Sequence, residues 1–205
     1  MYKIETITGT DVADTDALFT ISKVREWCYV VGSDYDTLLT GLVSAAREYA
    51  EGRTWRQIIP ATYTLYLDRF PKNEGVIEID KCPCISVESI KYYDADDVLQ
   101  TWASTNYQVD LNSEPGRIKP VDGIAYPNTD ERLNAVEIAF TAGYDASSQF
   151  YTMPEKLATA IRLLVHHWFN NRVEVEVNDG RSVDAKQIPV GAEFLLEQIS
   201  LRGFV

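Results

Sequence analysis

The spacing of apolar residues changes twice along the 205-residue chain, and this change limits the folds open to it. Between residues 36 and 56 apolar side chains recur every three or four positions, whereas "ATYTLYLDRF" at 61–70 alternates large and polar side chains. Short alternating runs continue to residue 144, and helical spacing returns at residue 154. A period near 3.6 indicates an α-helix and a period of two indicates a β-strand. The order predicts an α+β fold, a discontinuous helical bundle with an inserted small antiparallel β-sheet.

The changes in period also give predicted boundaries. Residues 1–59 form an N-terminal helical part, residues 60–145 the inserted antiparallel β part, and residues 146–205 a C-terminal helical part that packs with the N-terminal helices. Within the last part, "VEVEVNDGRSVDAKQ" at 173–187 is polar, contains a glycine and lacks a helical apolar face. We expect a flexible, exposed loop there, or a segment that becomes ordered on assembly.

Two helices are predicted before the sheet. "FTISKVREWCYV" forms the first, with Thr20 or Ser22 near its start, and "GSD" ends it. The second helix has one apolar stripe, and Ser33 or Asp34 can cap it because a short side-chain oxygen accepts a free N–H of the first turn. The stripe comprises Leu38, Leu39, Leu42, Val43, Ala46, Tyr49 and Ala50.

Two further helices are predicted after the sheet. In "MPEKLATAIRLLVHHWFNNR", Pro154 suits the first turn and Glu155 favours the positive end of the helix dipole. A short helix, "VGAEFLLEQISL", follows the polar segment. The buried face of the longer helix is expected to comprise Leu157, Ile161, Leu164, Val165 and Trp168.

The strands are short and rich in β-branched and aromatic residues. The Asp-rich turn of "YYDADDVLQTW" is expected to join one hairpin, and "DLNSEPGRI" a second. The predicted strands are "ATYTLYLDRF", "GVIEID", "ISVESIKYYD", "VLQTW", "YQVDL", "GRIKP" and "AVEIAFTAGY".

Charge and cysteine content exclude several classes of protein. The chain has 31 acidic and 19 basic residues, a formal charge of −12, so its surface repels polyanions and does not suit broad binding of nucleic acid. Three cysteines, Cys28, Cys82 and Cys84, favour a reducing compartment over a disulfide-linked secreted domain. The N-terminus "MYKIETITGTD" lacks the apolar region of a signal peptide, and no apolar stretch is long enough to span a bilayer.

Signals for catalysis and for metals are weak. His166 and His167 are neighbours on a helix, so their side chains diverge and do not bind one ion together. The Asp-rich turn at 94–97 could suggest calcium, but it is short and lacks the glycine and distal glutamate of an EF-hand, which favours a solvated turn. No cofactor or metal is expected. A hydrolase using Asp68 and Asp110 would need an acid paired with a base, and no such pattern is evident.

Aromatic residues in the predicted sheet leave a second function open, a carbohydrate- or peptide-binding β module with helical flanks. Such a module would need its aromatic side chains on one open face. On strands whose faces alternate, these residues are more often core and cross-strand pairs. They are Tyr63, Tyr66, Tyr92, Tyr93, Trp102 and Tyr107.

Four segments in order carry a resemblance that covers about residues 20–201. They are "SAAREYAEGRTWRQIIPATYTLYLDRFP", "VESIKYYDADDVLQTWASTNYQVDLNSEPGRIKP", "NAVEIAFTAGYDA" and "PEKLATAIRLLVHHWFNNR", with "IPVGAEFLLEQI" at the end. In this order the chain resembles the phage and prophage head–tail connector (head-completion adaptor) family. The resemblance implies a structural, non-enzymatic virion component at the head–tail junction, which would pass through the host cytoplasm during assembly.

The resemblance also implies partners. A ring of about 12–13 copies would lie under the portal protein, extend the DNA channel without binding DNA specifically, and offer a surface to a tail-completion or stopper protein, with no contact to a membrane. The acidic charge suits such a channel because DNA must slide through it. Subunit contacts are expected on the exposed edges of the second helix and the 154–172 helix, at Arg47, Glu51, Arg53 and Trp55. Portal docking is expected at the C-terminus, at Leu201, Arg202, Phe204 and Val205.

Overall fold

The computed structural model describes residues 2–9, 19–72, 75–129, 131–144, 152–171, 177–178, 181–182 and 188–201. The chain forms two compact units: a sheet unit, Met1–Asp11 with Gln57–Thr152, and a helical unit, Val12–Arg56 with Met153–Val205. Helices from both ends of the chain flank a β region, which confirms the predicted α+β fold.

The sheet unit contains a five-stranded antiparallel sheet. Its strands are β1 (Tyr2–Gly9), β2 (Ala61–Leu67), β4 (Cys84–Tyr93), β5 (Leu99–Trp102) and β8 (Val136–Ala142). They lie in the order β1-β2-β8-β4-β5. The hairpin β4–β5 confirms one prediction, since Tyr92 pairs with Gln100 and Tyr93 with Leu99. At its turn, Oδ1 of Asp94 accepts hydrogen bonds from the backbone N–H groups of Asp96 and Val98.

A second, three-stranded antiparallel sheet has the order β3-β7-β6. Its strands are β3 (Ile77–Ile79), β6 (Tyr107–Asp110) and β7 (Gly116–Pro120), with a 3₁₀ turn at Ser104–Asn106. β6 and β7 form the second predicted hairpin, in which Val109 pairs with Ile118. Side chains of both sheets share one buried cluster that includes Ile77, Ile118 and Phe140.

The N-terminal strand was not predicted. Tyr2–Gly9 pairs with β2 as an edge strand of the larger sheet, with Ile4 opposite Leu65. These residues therefore belong to the sheet unit and not to a helical part spanning 1–59. "YKIE" at residues 2–5 alternates apolar and polar residues, so the sequence contained a strand signal that the assignment of a uniformly helical N-terminal part overlooked.

The described residues of the helical unit form four helices, α1 (Ile21–Trp27), α2 (Asp36–Thr54), α3 (Glu155–Asn170) and α4 (Val190–Glu197). All four were predicted, but the capping prediction for α2 was wrong. Its N-cap residue is Tyr35, and among the described residues no side chain caps it. Asp36 instead accepts a hydrogen bond from Arg25 Nε at 2.7 Å. The apolar stripe is also narrower than predicted, because Leu38 is 40% exposed.

Most of the predicted flexible loop at 173–187 lies outside the described residues. The described part contains two short strands, β9 (Val177–Asn178) and β10 (Arg181–Ser182), which pair antiparallel. No helix among the described residues is long and apolar enough to cross a membrane.

Candidate subunit interface

Helices from both ends of the chain are joined by polar contacts as well as by packing. The hydroxyl of Tyr49 on α2 donates to Oε1 of Glu193 on α4 at 2.9 Å, and Nη2 of Arg53 lies 3.5 Å from the same oxygen. The Tyr49 ring meets Trp168 of α3 edge-on, with centroids 6.2 Å apart. Burial, followed by the hydrogen bond to Glu193, raises the pKa of the Tyr49 phenol, so it stays a neutral donor. These contacts fix α3 and α4 against α2.

The start of α2 is fixed by an ion pair with α1. Arg25 binds the carboxylate of Asp36 through both Nε and Nη2. The hydrogen bond from Arg25 lowers the pKa of Asp36. Such a two-pronged arginine–carboxylate contact has a defined geometry, so it orients the two helices. It also places a negative charge at the positive end of the α2 dipole.

Of the four residues predicted for subunit contacts, Arg47 is not on an exposed edge. Its side chain is 8% exposed, and its Nη2 lies 3.4 Å from Oε1 of Glu48. Within the described part of the chain its Nε has no hydrogen-bond partner. The sequence prediction failed because arginine is usually exposed, whereas this position lies on the buried side of α2.

The other three residues remain accessible to different degrees. Glu51 is half-buried, and the Arg53 side chain is 36% exposed although it faces Glu193 of the same chain. Trp55 ends α2 in the left-handed conformation, with φ of 59°, and is 48% exposed. Tryptophan is among the residue types most enriched at interface hot spots, and Trp55 presents about half of its surface to solvent.

The end of the described chain is anchored next to Trp55. The N–H of Leu201 donates to the carbonyl of Thr54 at 3.1 Å. Arg56 Nε donates to the carbonyl of Ile199 at 2.8 Å. The structure thus brings the predicted docking residue Leu201, which is half-buried, to the end of α2. Arg202, Phe204 and Val205 lie outside the described residues.

The sequence analysis missed the exposed apolar residues on α3 and α4. Val190 and Phe194, one turn apart on α4, are 79% and 58% exposed, and Leu163 of α3 is 38% exposed. A Cβ placed on Gly191 would lie 3.8 Å from Cδ1 of Leu163, so the three side chains flank one place where the two helices meet. The signal was present in "VGAEF", where two apolar residues spaced by four lie outside the buried positions Ala192 and Leu196.

The sheet aromatics do not form an open platform. Tyr63, Trp102 and Tyr107 are buried, and Phe70 stacks on Tyr126 with centroids 4.8 Å apart. Burial raises the pKa of Tyr126 to about 12. The aromatic residues thus pack mainly as core, which removes the main support for a carbohydrate-binding face.

The structure likewise gives no acid–base pair to the candidate carboxylates. Asp110 accepts hydrogen bonds from Ser113 and Arg117, which lower its pKa to about 2. The pKa of Asp68 is lowered chiefly by the N–H of Asn134. A general acid needs a raised pKa instead. His166 is engaged with the carbonyl of Trp27 at 2.8 Å, and among the described residues no His, Cys, Asp and Glu cluster could hold a metal ion.

Comparisons with known proteins support the fold over nearly the whole chain. No protein-family model matches the sequence, and no curated protein matches it. One similar chain lies in the neck of an empty gene transfer agent (GTA) particle, computed with C6 symmetry. It has a TM-score of 0.72 and 21% identity, and the match covers 99% of this chain and 97% of that one.

Two other solved structures give the same result. A chain in the virion of a native gene transfer agent (GTA) particle has a TM-score of 0.71 and 21% identity, covering 98% of this chain and 97% of that one. A chain in the neck of a native GTA particle, computed with C12 symmetry, has a TM-score of 0.69 and 22% identity, covering 99% and 97%. The fold of this chain is therefore that of proteins in the necks of phage-like particles, in agreement with its resemblance to the head–tail connector family.

Proposed function

We propose that this protein is a structural virion component, a head–tail connector that forms a ring under the portal, extends the DNA channel and docks the next tail-joining protein. The observation that carries the proposal is a fold shared across 97–99% of both chains with proteins of GTA particle necks. Those necks were computed with C6 and with C12 symmetry, which supports a cyclic arrangement such as the ring of about 12–13 copies that the family resemblance implies.

The charge of the chain supports a role around DNA without specific binding. A formal charge of −12 weakens contact with phosphate groups, so a channel of such subunits would let DNA slide. The sheet aromatics are largely buried, and both candidate carboxylates have lowered pKa values, so neither a carbohydrate-binding module nor a hydrolase is favoured.

In this proposal the helical unit supplies the contacts between subunits. Among the described residues of its three longer helices, the most exposed large apolar side chains are Val190 and Phe194 of α4 and Trp55 at the end of α2. The C-terminal residues 201–205 supply the portal contact, and the first of them, Leu201, is anchored at the end of α2 by its hydrogen bond to the carbonyl of Thr54. Arg53 and Glu51 lie on the same stretch of α2 and would contribute at the rim of the contact.

The test is native mass spectrometry of the purified chain over a concentration series, alone and with the cognate portal protein. A closed ring of about twelve copies, formed alone or on the portal, is the expected result. A chain that stays monomeric and does not bind the portal would overturn the proposal.

A truncation tests the docking end separately. A chain ending at Ser200 keeps α1 to α4 complete, so it should stay folded, but it should lose portal binding in a pull-down. As a control, Leu133→Ala changes a residue that is 77% exposed in the sheet unit, and it should leave portal binding intact. Portal binding retained by the truncated chain would show that docking lies elsewhere.

A further inference from the structure

One face of α2 is exposed to solvent along the length of the helix. Six exposed positions recur at spacings of three and four, and the two glycines among them, Gly41 and Gly52, have no atom of the described chain within 4 Å of a placed Cβ. Small side chains let another helix approach closely. The six positions, here called the α2 outer face, are Leu38, Gly41, Ala45, Glu48, Gly52 and Trp55.

A buried charge next to this face lacks a full set of partners. Arg47 is more than nine-tenths buried, its Nε is unpartnered among the described residues, and its Nη2 reaches toward Glu48 of the α2 outer face at 3.4 Å. A buried guanidinium without strong hydrogen bonds is costly. The Glu48 carboxylate is 65% exposed, so a contact that covers it would also strengthen its attraction to Arg47 by excluding water.

A second surface of the helical unit has large projecting side chains, where the α2 outer face has small ones. Val190 and Phe194 project from α4, with Leu163 beside them, and these three side chains are here called the α4 ridge. One turn beyond Phe194, Gln198 accepts a hydrogen bond from the ammonium group of Lys156 at 2.7 Å. The positive charge of Lys156 therefore lies next to Gln198, one turn beyond the α4 ridge. The α2 outer face carries the negative charge of Glu48.

A ring needs two different, complementary surfaces on each copy, because every subunit meets its two neighbours through opposite sides of a head-to-tail contact. The ridge and the face also match in spacing. Gln198 follows Phe194 by four positions, and Gly52 follows Glu48 by four positions. Each spacing corresponds to about 6 Å along the helix axis. With the helices antiparallel, Phe194 lies over Gly52, Lys156 lies opposite Glu48, and Val190 reaches Trp55.

We propose that the α4 ridge of one copy packs antiparallel against the α2 outer face of the next copy in this register. The proposal rests on the proposed ring and specifies its subunit contact. The occupant of the α2 outer face is thus a second copy of this chain.

Disulfide trapping tests the register. Gly52→Cys and Phe194→Cys in one chain should give, on oxidation, a ladder of covalent oligomers, since a disulfide needs Cβ atoms about 4 Å apart. Each single variant should give no ladder, and a mixture of the two should stop at dimers. The native thiols Cys28, Cys82 and Cys84 are buried and do not interfere.

Wild-type chain analysed by native mass spectrometry in parallel separates the two possible failures. Wild-type rings without a ladder from the double variant would overturn this contact while leaving the connector function intact. Absence of both rings and ladder, with portal present, would overturn the ring itself. A control pair of Leu133→Cys with Phe194→Cys should not cross-link, because Leu133 lies in the sheet unit outside the proposed contact.

Charge exchange supplies a second readout that does not depend on cysteine chemistry. Glu48→Lys and Lys156→Glu should each raise the concentration needed for half-assembly by several-fold, as expected for a like-charge contact. The double variant should restore assembly toward the wild-type value. If the double variant instead needs a concentration for half-assembly that combines the increases of both single variants, the two residues do not meet.

Discussion

Tyr49 and Glu193 are 144 residues apart in the sequence, yet the phenol of one donates a 2.9 Å hydrogen bond to the carboxylate of the other. The bond joins α2, which precedes the sheet, to α4, which follows it. Loss of this contact should therefore weaken the packing of α4 in the helical unit.

Tyr49→Phe should therefore destabilise the chain by about 1 kcal/mol, because it removes a hydrogen bond to a carboxylate and keeps the half-buried ring. Urea unfolding measured by circular dichroism gives the free-energy change. Tyr29→Phe is the matched control, since Tyr29 is 88% exposed and should change stability little. Equal effects of the two substitutions would show that the bond to Glu193 contributes nothing.

Gly143→Ala should destabilise the sheet unit by more than about 1 kcal/mol, because φ is +136° and a Cβ would lie 2.6 Å from Cα of Pro60. Gly41→Ala should act in the opposite direction, stabilising α2 by about 0.5–1 kcal/mol, since a helical glycine there has open space around it. Thermal unfolding of both variants tests the pair. A stable Gly143→Ala variant would contradict the close approach to Pro60.

Phe140→Ala should cost about 3–5 kcal/mol, because the side chain is fully buried and stacks on Tyr63 with centroids 5.6 Å apart. Urea unfolding is again the measurement. Leu133→Ala, at a residue that is 77% exposed, should stay within about 0.5 kcal/mol of the wild type. A Phe140→Ala variant as stable as this control would mean that β8 does not form the centre of the core.

The strands were predictable because their alternation is local. Ile118 and Phe140 each lie in a run that alternates over at least five residues, and both are buried as the pattern requires. Helix positions were predictable for a similar reason. In both cases one property, the hydrophobic period, decides the structure without knowledge of the neighbours.

The interface residues were harder to predict because they depend on tertiary contacts. Arg47 looked exposed by residue type, but it lies on the buried side of α2. The sequence analysis predicted the last helix without distinguishing its faces, and α4 buries Ala192 and Leu196 while Val190 and Phe194 stay exposed. The predicted cap of α2 failed likewise, because the helix begins at Asp36 and its N-cap residue is Tyr35 instead of Ser33 or Asp34. Which face of a helix meets its neighbours is set by packing, which sequence spacing alone does not reveal.

Asp110 gives a prediction about pH. Hydrogen bonds from Ser113 and Arg117 lower its pKa to about 2 in the folded chain, below the value of about 3.9 expected on unfolding. A lowered pKa means that the unfolded chain binds the proton more readily. The contribution of Asp110 to stability is therefore fully present above about pH 4 and is lost as pH falls toward about 2.

Asp110→Asn should lower the unfolding temperature at pH 6, and the difference from the wild type should shrink steadily between about pH 4 and pH 2. Thermal unfolding followed at several pH values in this range measures it. Asp122→Asn is the control, since that side chain is 92% exposed and should give a small difference throughout. A difference for Asp110→Asn that stays constant from pH 6 to pH 2 would contradict the lowered pKa, and would assign the loss to the shape of the hairpin turn instead of to its charge.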